Sequence, residues 1–180
     1  MSDQLISIED LRFKPYISTE EIQKKIGEMA EQIREEFEGK KPVFLAVLNG
    51  AFIFAADLIR AVNIQSEITF IKLASYKGMK SSGKVETLIG LDTDLEDRHI
   101  IIVEDIVDSG KTLSEFIPEL HKFRPKSVSI AALLLKPEEL RYPIDIKFLG
   151  FEIPPKFVVG YGLDYDGLGR ELSAIYQLEE

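Results

Sequence analysis

Short apolar runs that do not alternate with polar residues constrain this chain more than any other feature. Short apolar runs bounded by turn or charged residues occur at 43–48, 68–73, 100–103, 128–135 and 157–159, and those among them without alternation carry the argument. A strand that is apolar at consecutive positions is buried on both faces, which is the habit of a parallel sheet covered by helices. Two of the runs are followed in order by a glycine loop and a helical segment: Asn49-Gly50 before 52–62, and Gly110-Lys111-Thr112 before 113–123. Strand, loop and helix repeated in this order predict an α/β fold with a mainly parallel central sheet flanked by helices.

A third helix is expected over 19–37, where Ile22, Ile26, Met29, Ile33 and Phe37 recur at steps of four and three and form one apolar stripe. Ser18 and Glu21 have capping-box spacing, and Gly39 stands where a left-handed C-terminal cap belongs. With 180 residues, 45% of them hydrophobic, one domain with a well-filled core is expected over 1–180. Residues 69–75 and 85–91 read as the arms of a hairpin around the polar, glycine-containing stretch between Tyr76 and Glu86. The residues alone admit either a mobile loop or a plain surface turn there.

Charge and composition narrow the function. The formal net charge is −9, from 22 Lys+Arg and 31 Asp+Glu, a surface that repels nucleic acid and anionic lipid. No cysteine is present, which removes disulfides, thiolate catalysis and Cys-ligated metals and fits a reducing compartment. Only His99 and His121 could supply imidazole to a metal. The first ten residues do not form a secretory signal, and no apolar run reaches the roughly 18 residues of a membrane span. A cytoplasmic protein is expected.

The chemistry lies in residues 100–113. Four apolar residues make a buried strand, and Glu104 and Asp105 follow at its carboxyl end, where open α/β sheets place their ligand crevice. With Asp108 they put three acids within five residues. A divalent cation or a polyhydroxyl ligand answers that repulsion well. Asp108-Ser109-Gly110-Lys111-Thr112 then opens a helix. Alone, it could be an ordinary capped helix start; behind two acids, it reads as a cradle of backbone N–H groups and hydroxyls for a phosphate. Gly110-Lys111-Thr112 is not the end of a nucleoside-triphosphate loop, because Asp105 stands where that motif needs glycine. Gly160-Tyr161-Gly162 likewise lacks the third glycine of a dinucleotide fingerprint.

Val103 to Thr112 resembles the signature for 5-phosphoribosyl 1-diphosphate (PRPP) of the phosphoribosyltransferases: hydrophobics, two acids, then an Asp-Ser-Gly-Lys-Thr loop. Further segments are similar to the hypoxanthine-guanine (6-oxopurine) branch: Leu48-Asn49-Gly50-Ala51, Ser75-Tyr76, Leu135-Lys136, Gly150-Phe151-Glu152-Ile153-Pro154, Phe157-Val158-Val159-Gly160-Tyr161, Leu163-Asp164-Tyr165 and Arg170. The resemblance implies the type I phosphoribosyltransferase fold, with a small hood built from the N-terminal segment and about 136–165, and a flexible loop at about 75–86. It implies transfer of a phosphoribosyl group from PRPP to N9 of hypoxanthine or guanine, with Mg²⁺ and release of pyrophosphate, in a homodimer or homotetramer.

The same resemblance assigns roles. Glu104 and Asp105 would hold the ribose hydroxyls, directly or through Mg²⁺, and Asp164 would hold a second Mg²⁺. Asp108 would be the general base, and Ser109, Gly110, Lys111 and Thr112 would cradle the 5'-phosphate. Asn49, Gly50 and Arg170 would face pyrophosphate. Lys136 would donate to the purine 6-oxo group, Phe157 would stack on the ring, and Val158 and Asp164 would border it. Ser75 and Tyr76 would begin a lid. One departure is Asn49, where the family often has lysine, so that side-chain charge is missing here. Two alternatives remain: a PRPP or nucleotide sensor without turnover, and a transferase for another base.

Overall fold

The computed structural model describes residues 5–74, 86–89 and 93–179. Ser75, Tyr76 and most of the expected loop at 75–86 lie outside the described residues. The elements run in the order β1 (Ile6–Ile8), β2 (Leu11–Ile17), α1 (Thr19–Phe37), β3 (Val43–Leu48), α2 (Phe52–Val62), β4 (Glu67–Ala74), β5 (Glu86–Ile89), β6 (His99–Val107), α3 (Lys111–His121), β7 (Ser127–Leu135), β8 (Phe148–Glu152), β9 (Val158–Val159) and β10 (Ile175–Leu178).

The main sheet has the strand order β5-β4-β3-β6-β7-β8. Strands β4 to β8 in that order pair in parallel, and β5 runs antiparallel to β4 at one edge. Both faces are covered, as the absence of alternation requires. Phe44, Ala46, Ile101, Val103, Ala131 and Leu133 face one way and pack with Ile22, Ile26, Ile33, Phe54 and Leu58 of α1 and α2. Val43, Leu45, Ile100, Ile102, Ile130 and Ala132 face the other way and pack with Leu113, Phe116 and Leu120 of α3.

Helix α1 has the expected limits and caps. The Ser18 backbone N–H donates to Glu21 Oε2 at 2.8 Å, and the Glu21 N–H donates to Ser18 Oγ at 3.2 Å. Gly39 closes the other end with φ +76°, a region in which a side chain would be strained. The whole stripe from Ile22 to Phe37 is buried.

Three expectations about elements are corrected. Strand β6 does not stop at Val103 but continues through Glu104 and Asp105 to Val107, because β7 accompanies it to the pair Val107↔Leu135. Helix α3 begins at Lys111, since Gly110 with φ +77° makes the turn and releases Lys111 and Thr112 into the first helical turn; Phe123 is left beyond the end and exposed. Residues 158–159 form a strand, yet not of the parallel sheet. They belong to a second, antiparallel sheet of order β1-β2-β10-β9, centred on Phe13, Val159 and Ile8. That sheet includes β10, which lies beyond 136–165, whereas β8 from within 136–165 joins the main sheet. Among the described residues no helix is long and apolar enough to cross a membrane.

Ile33 is fully buried where α1 meets the sheet. Ile33→Ala should lower the unfolding free energy by about 2–5 kcal/mol with an unchanged urea m-value. A loss below about 1 kcal/mol would mean that this face repacks freely.

Candidate active site

The end of β6 is exposed on one side only. Strand β3 pairs with it as far as Ala46↔Val103, while β7 continues beside it past Glu104. Beyond Ala46 the chain of β3 turns away at Asn49-Gly50, after a cis Leu48–Asn49 peptide. The notch so formed holds the two carboxylates. Asp105 is 9% exposed and Glu104 is partly buried.

Burial is the main cause of their unusual protonation. It raises the Glu104 carboxyl well above the usual range, and the neighbouring Asp105 charge and a hydrogen bond between the two side chains raise it further. Burial also raises Asp105, although Glu104, the Ile106 and Asp105 backbone N–H groups and the Arg170 charge all pull it down. Both acids are therefore held against ionisation, chiefly by burial.

Gly50 lies directly against this pair. A Cβ there would sit 1.7 Å from Asp105 Oδ2, so no side chain fits at position 50 without displacing the carboxylate. Gly162, with φ +100°, presses on Gly50 in turn, and a Cβ on it would sit 2.1 Å from the Gly50 carbonyl oxygen. Arg170 Nη1 donates to the Gly162 carbonyl at 2.6 Å, and its Nη2 lies 2.8 Å from Asp164 Oδ1. The other Asp164 oxygen accepts the Gly167 N–H at 2.7 Å. One side of the crevice is thus a chain of contacts from Asp105 through Gly50 and Gly162 to Arg170 and Asp164.

The other side is the start of α3. A cavity of about 130 Å³ is lined by Glu104, Asp108, Ser109, Gly110, Lys111 and Thr112, among others. The Arg141 and Tyr142 N–H groups both donate to the Ser109 carbonyl at 3.1 Å, which fixes the loop from behind. Gly110 backs onto the Tyr142 carbonyl, where a Cβ would lie 2.8 Å from the oxygen. Helix α3 therefore opens on the cavity with its positive dipole end, where the Lys111 N–H makes only a long contact of 3.4 Å to Ser109 Oγ, a geometry suited to an anion.

Above the cavity, Lys136 Nζ lies 3.4 Å from Asp108 Oδ2. Asp108 is exposed, whereas the Lys136 side chain is only 13% exposed. Strand β7 delivers the lysine: its N–H donates to the Val107 carbonyl at 3.0 Å, so it follows the last residue of β7 at the level of the last residue of β6. Phe157 is 43% exposed, and its ring lies 6.1 Å from Phe13 and 5.9 Å from Tyr165, edge-on to the latter. Val158 is buried in β9 opposite Gln177.

A phosphoribosyl transferase domain is matched over residues 18–166. The hypoxanthine phosphoribosyltransferase of Buchnera aphidicola subsp. Schizaphis graminum is 44% identical over 165 residues, 90% of this chain and 93% of that protein. The chain belongs to the hypoxanthine-guanine phosphoribosyltransferase family. The hypoxanthine-guanine phosphoribosyltransferase of Bacillus subtilis is also 44% identical, covering 90% of this chain and 91% of that one. The crystal structure of a hypoxanthine-guanine phosphoribosyltransferase from Bacillus anthracis superposes with a TM-score of 0.86 at 38% identity, over 92% of this chain and 96% of the other.

Several contacts in this phosphoribosyltransferase have no signal in the sequence. Gly162 had no signal beyond a failed dinucleotide motif, and its use is the close approach to Gly50. Asp57 and Gln23 lie on the polar sides of amphipathic helices, where nothing distinguishes them from solvated residues; the bonds that Asp57 accepts from Gln23 and Tyr161 become visible only in three dimensions.

The acid pair has a consequence for stability. A carboxyl whose folded-state pKa is raised contributes stability below its unfolded pKa, and that contribution is lost as pH rises through the folded value. Glu104→Gln removes the charge and keeps the shape. Without metal or substrate, it should raise the thermal midpoint relative to wild type by several degrees at about pH 8 and by much less at about pH 5. An equal difference at both pH values would show that Glu104 is not held against ionisation.

Proposed function

We propose that this phosphoribosyltransferase makes IMP, and GMP from guanine, by transferring the 5-phosphoribosyl group of PRPP to N9 of a 6-oxopurine in purine salvage. The observation that carries the base assignment is the pairing of Lys136 with Asp108 at 3.4 Å. A 6-oxopurine presents the 6-oxygen and N7 along one edge, an acceptor beside a proton that must leave. An ammonium beside a carboxylate matches that edge. Adenine would set its amine donor against the lysine donor.

In this reading the bond from C1' to the diphosphate oxygen breaks as the bond from N9 to C1' forms, through an oxocarbenium-like sugar. Asp108 accepts the N7 proton, and Lys136 donates to the 6-oxygen. Phe157 offers its exposed face to the base, and Val158 and Asp164 border its far edge. The N–H groups and hydroxyls of Ser109 to Thr112 hold the 5'-phosphate at the mouth of α3, with Lys111 adding charge. Asn49, Gly50 and Arg170 face the diphosphate. Asn49 contributes no positive charge, which leaves backbone N–H groups and the Arg170 fork to bind the leaving group. Ser75 and Tyr76 would begin the lid that keeps water from the activated sugar.

The donor set suits Mg²⁺. Glu104 and Asp105 are adjacent hard oxygen ligands, and Asp164 keeps lone pairs beyond its contacts with Arg170 and Gly167. Among the described residues no three acids converge as a closed cage, so substrate oxygens would have to complete the coordination. When bound, the ion supplies positive charge to the diphosphate and to the acid pair. We further propose a homodimer or homotetramer working in the cytoplasm, on small molecules and without nucleic acid.

Incubation with PRPP, Mg²⁺ and single bases tests the assignment. Hypoxanthine or guanine should yield nucleotide and pyrophosphate, and adenine, uracil and orotate should not. Turnover of adenine in preference to hypoxanthine would sink the role of Lys136, and no turnover with any base would favour a PRPP sensor. Asp108→Asn should retain PRPP binding and lose about 10²- to 10⁴-fold in kcat. Wild-type turnover in that variant would assign the proton to another acceptor.

A further inference from the structure

Gly160, Tyr161 and Gly162 have φ angles of +99°, +51° and +100° in succession. Glycine enters this region freely, but a tyrosine Cβ crowds the backbone there. A bulky residue persists in such a conformation only when its surroundings hold it. The Tyr161 side chain is 3% exposed, and its hydroxyl donates to Asp57 Oδ2 of α2 at 2.6 Å. Burial, and then this bond, keep the phenol protonated far above its ordinary range. Asp57 has other partners: Gln23 Nε2 donates to Oδ2 at 3.1 Å, and Arg60 Nη1 lies 3.6 Å from Oδ1.

The turn matters because of what it touches. Gly162 packs on the Gly50 carbonyl, its own carbonyl accepts from Arg170 Nη1, and its N–H donates to the Arg170 carbonyl at 3.0 Å. Gly50 lies two residues before α2, the helix that carries Asp57. The turn and the α2 segment are therefore joined twice, at Tyr161 with Asp57 and at Gly162 with Gly50. Arg170 is fixed through the same turn.

We propose that the Tyr161–Asp57 hydrogen bond is a positioning device for the diphosphate half of the site, holding Gly162 on Gly50 and so aligning Gly50 and Arg170. Tyr161 touches no reacting atom. The inference rests on the assignment of Asn49, Gly50 and Arg170 to the diphosphate.

Calorimetric titration of Tyr161→Phe with two ligands tests it. PRPP with Mg²⁺ spans both halves of the site, whereas IMP fills the phosphate cradle and base region and lacks the diphosphate. The Kd for PRPP should rise about 10- to 150-fold, the range expected for losing a hydrogen bond to a charged group, while that for IMP changes less than about twofold. Asp57→Asn keeps an acceptor oxygen and should stay within about threefold of wild type for PRPP, and Asp57→Ala should match Tyr161→Phe. Unchanged PRPP binding in Tyr161→Phe, or equal losses for PRPP and IMP, would overturn the positioning role. Failure of the wild-type protein to bind PRPP would instead overturn the proposed function on which it rests.

Discussion

Two adjacent carboxylates embedded near the end of a strand set the terms for the surrounding structure. A buried Glu-Asp pair is unfavourable on its own, because desolvation and mutual repulsion both oppose ionisation. Glu104 and Asp105 are nevertheless built into β6, whose preceding residues are fully buried between two helical layers. The rigid sheet fixes their position, and burial opposes the ionisation of both until a partner answers their charge. A cation or a pair of sugar hydroxyls would do so. The crevice is therefore more demanding of its ligand than a flexible surface cluster of acids would be.

Close backbone approach completes the site around that pair. Gly50 against Asp105, Gly162 against Gly50 and Gly110 against the Tyr142 carbonyl are contacts that any Cβ would prevent. At each of these points two segments distant in the chain approach at distances that only a glycine allows. On the proposed function, this is how a chain of net charge −9 would accommodate a polyanion. It would present directed dipoles, an arginine fork and acids able to take a cation, in place of a field of surface lysines.

The layered core was legible in the sequence because burial on both faces leaves a mark on every residue of a strand. The runs at 43–48 and 128–135 and the stripe from Ile22 to Phe37 each correspond to an element. The second sheet was not legible as a sheet. Strand β2, Leu-Arg-Phe-Lys-Pro-Tyr-Ile, is half exposed and contains proline, and β9 has only two residues. Their pairing with β10 is set by tertiary contacts with Phe13 and Tyr176 and not by local pattern. The end of β6 was missed for a related reason: acids inside a strand read as a strand's end unless the neighbouring strand is known to continue. In the site, residues next to one another in sequence, such as Ser109 to Thr112, could be grouped by inspection. The approach of Lys136 to Asp108 and of Arg170 to Gly162 depends on strand register and turn geometry, which no local pattern announces.

The central claim is that one crevice, bounded by the mouth of α3, the acid pair and the Gly50–Gly162 contact, holds all of PRPP. Electron density from crystals grown with Mg²⁺ and PRPP tests this most directly. The account predicts the 5'-phosphate on the N–H groups of Ser109 to Thr112, the ribose hydroxyls over Glu104 and Asp105, and the diphosphate between Gly50 and Arg170. A phosphate seated away from α3, or a ribose that leaves the acid pair untouched, would contradict it.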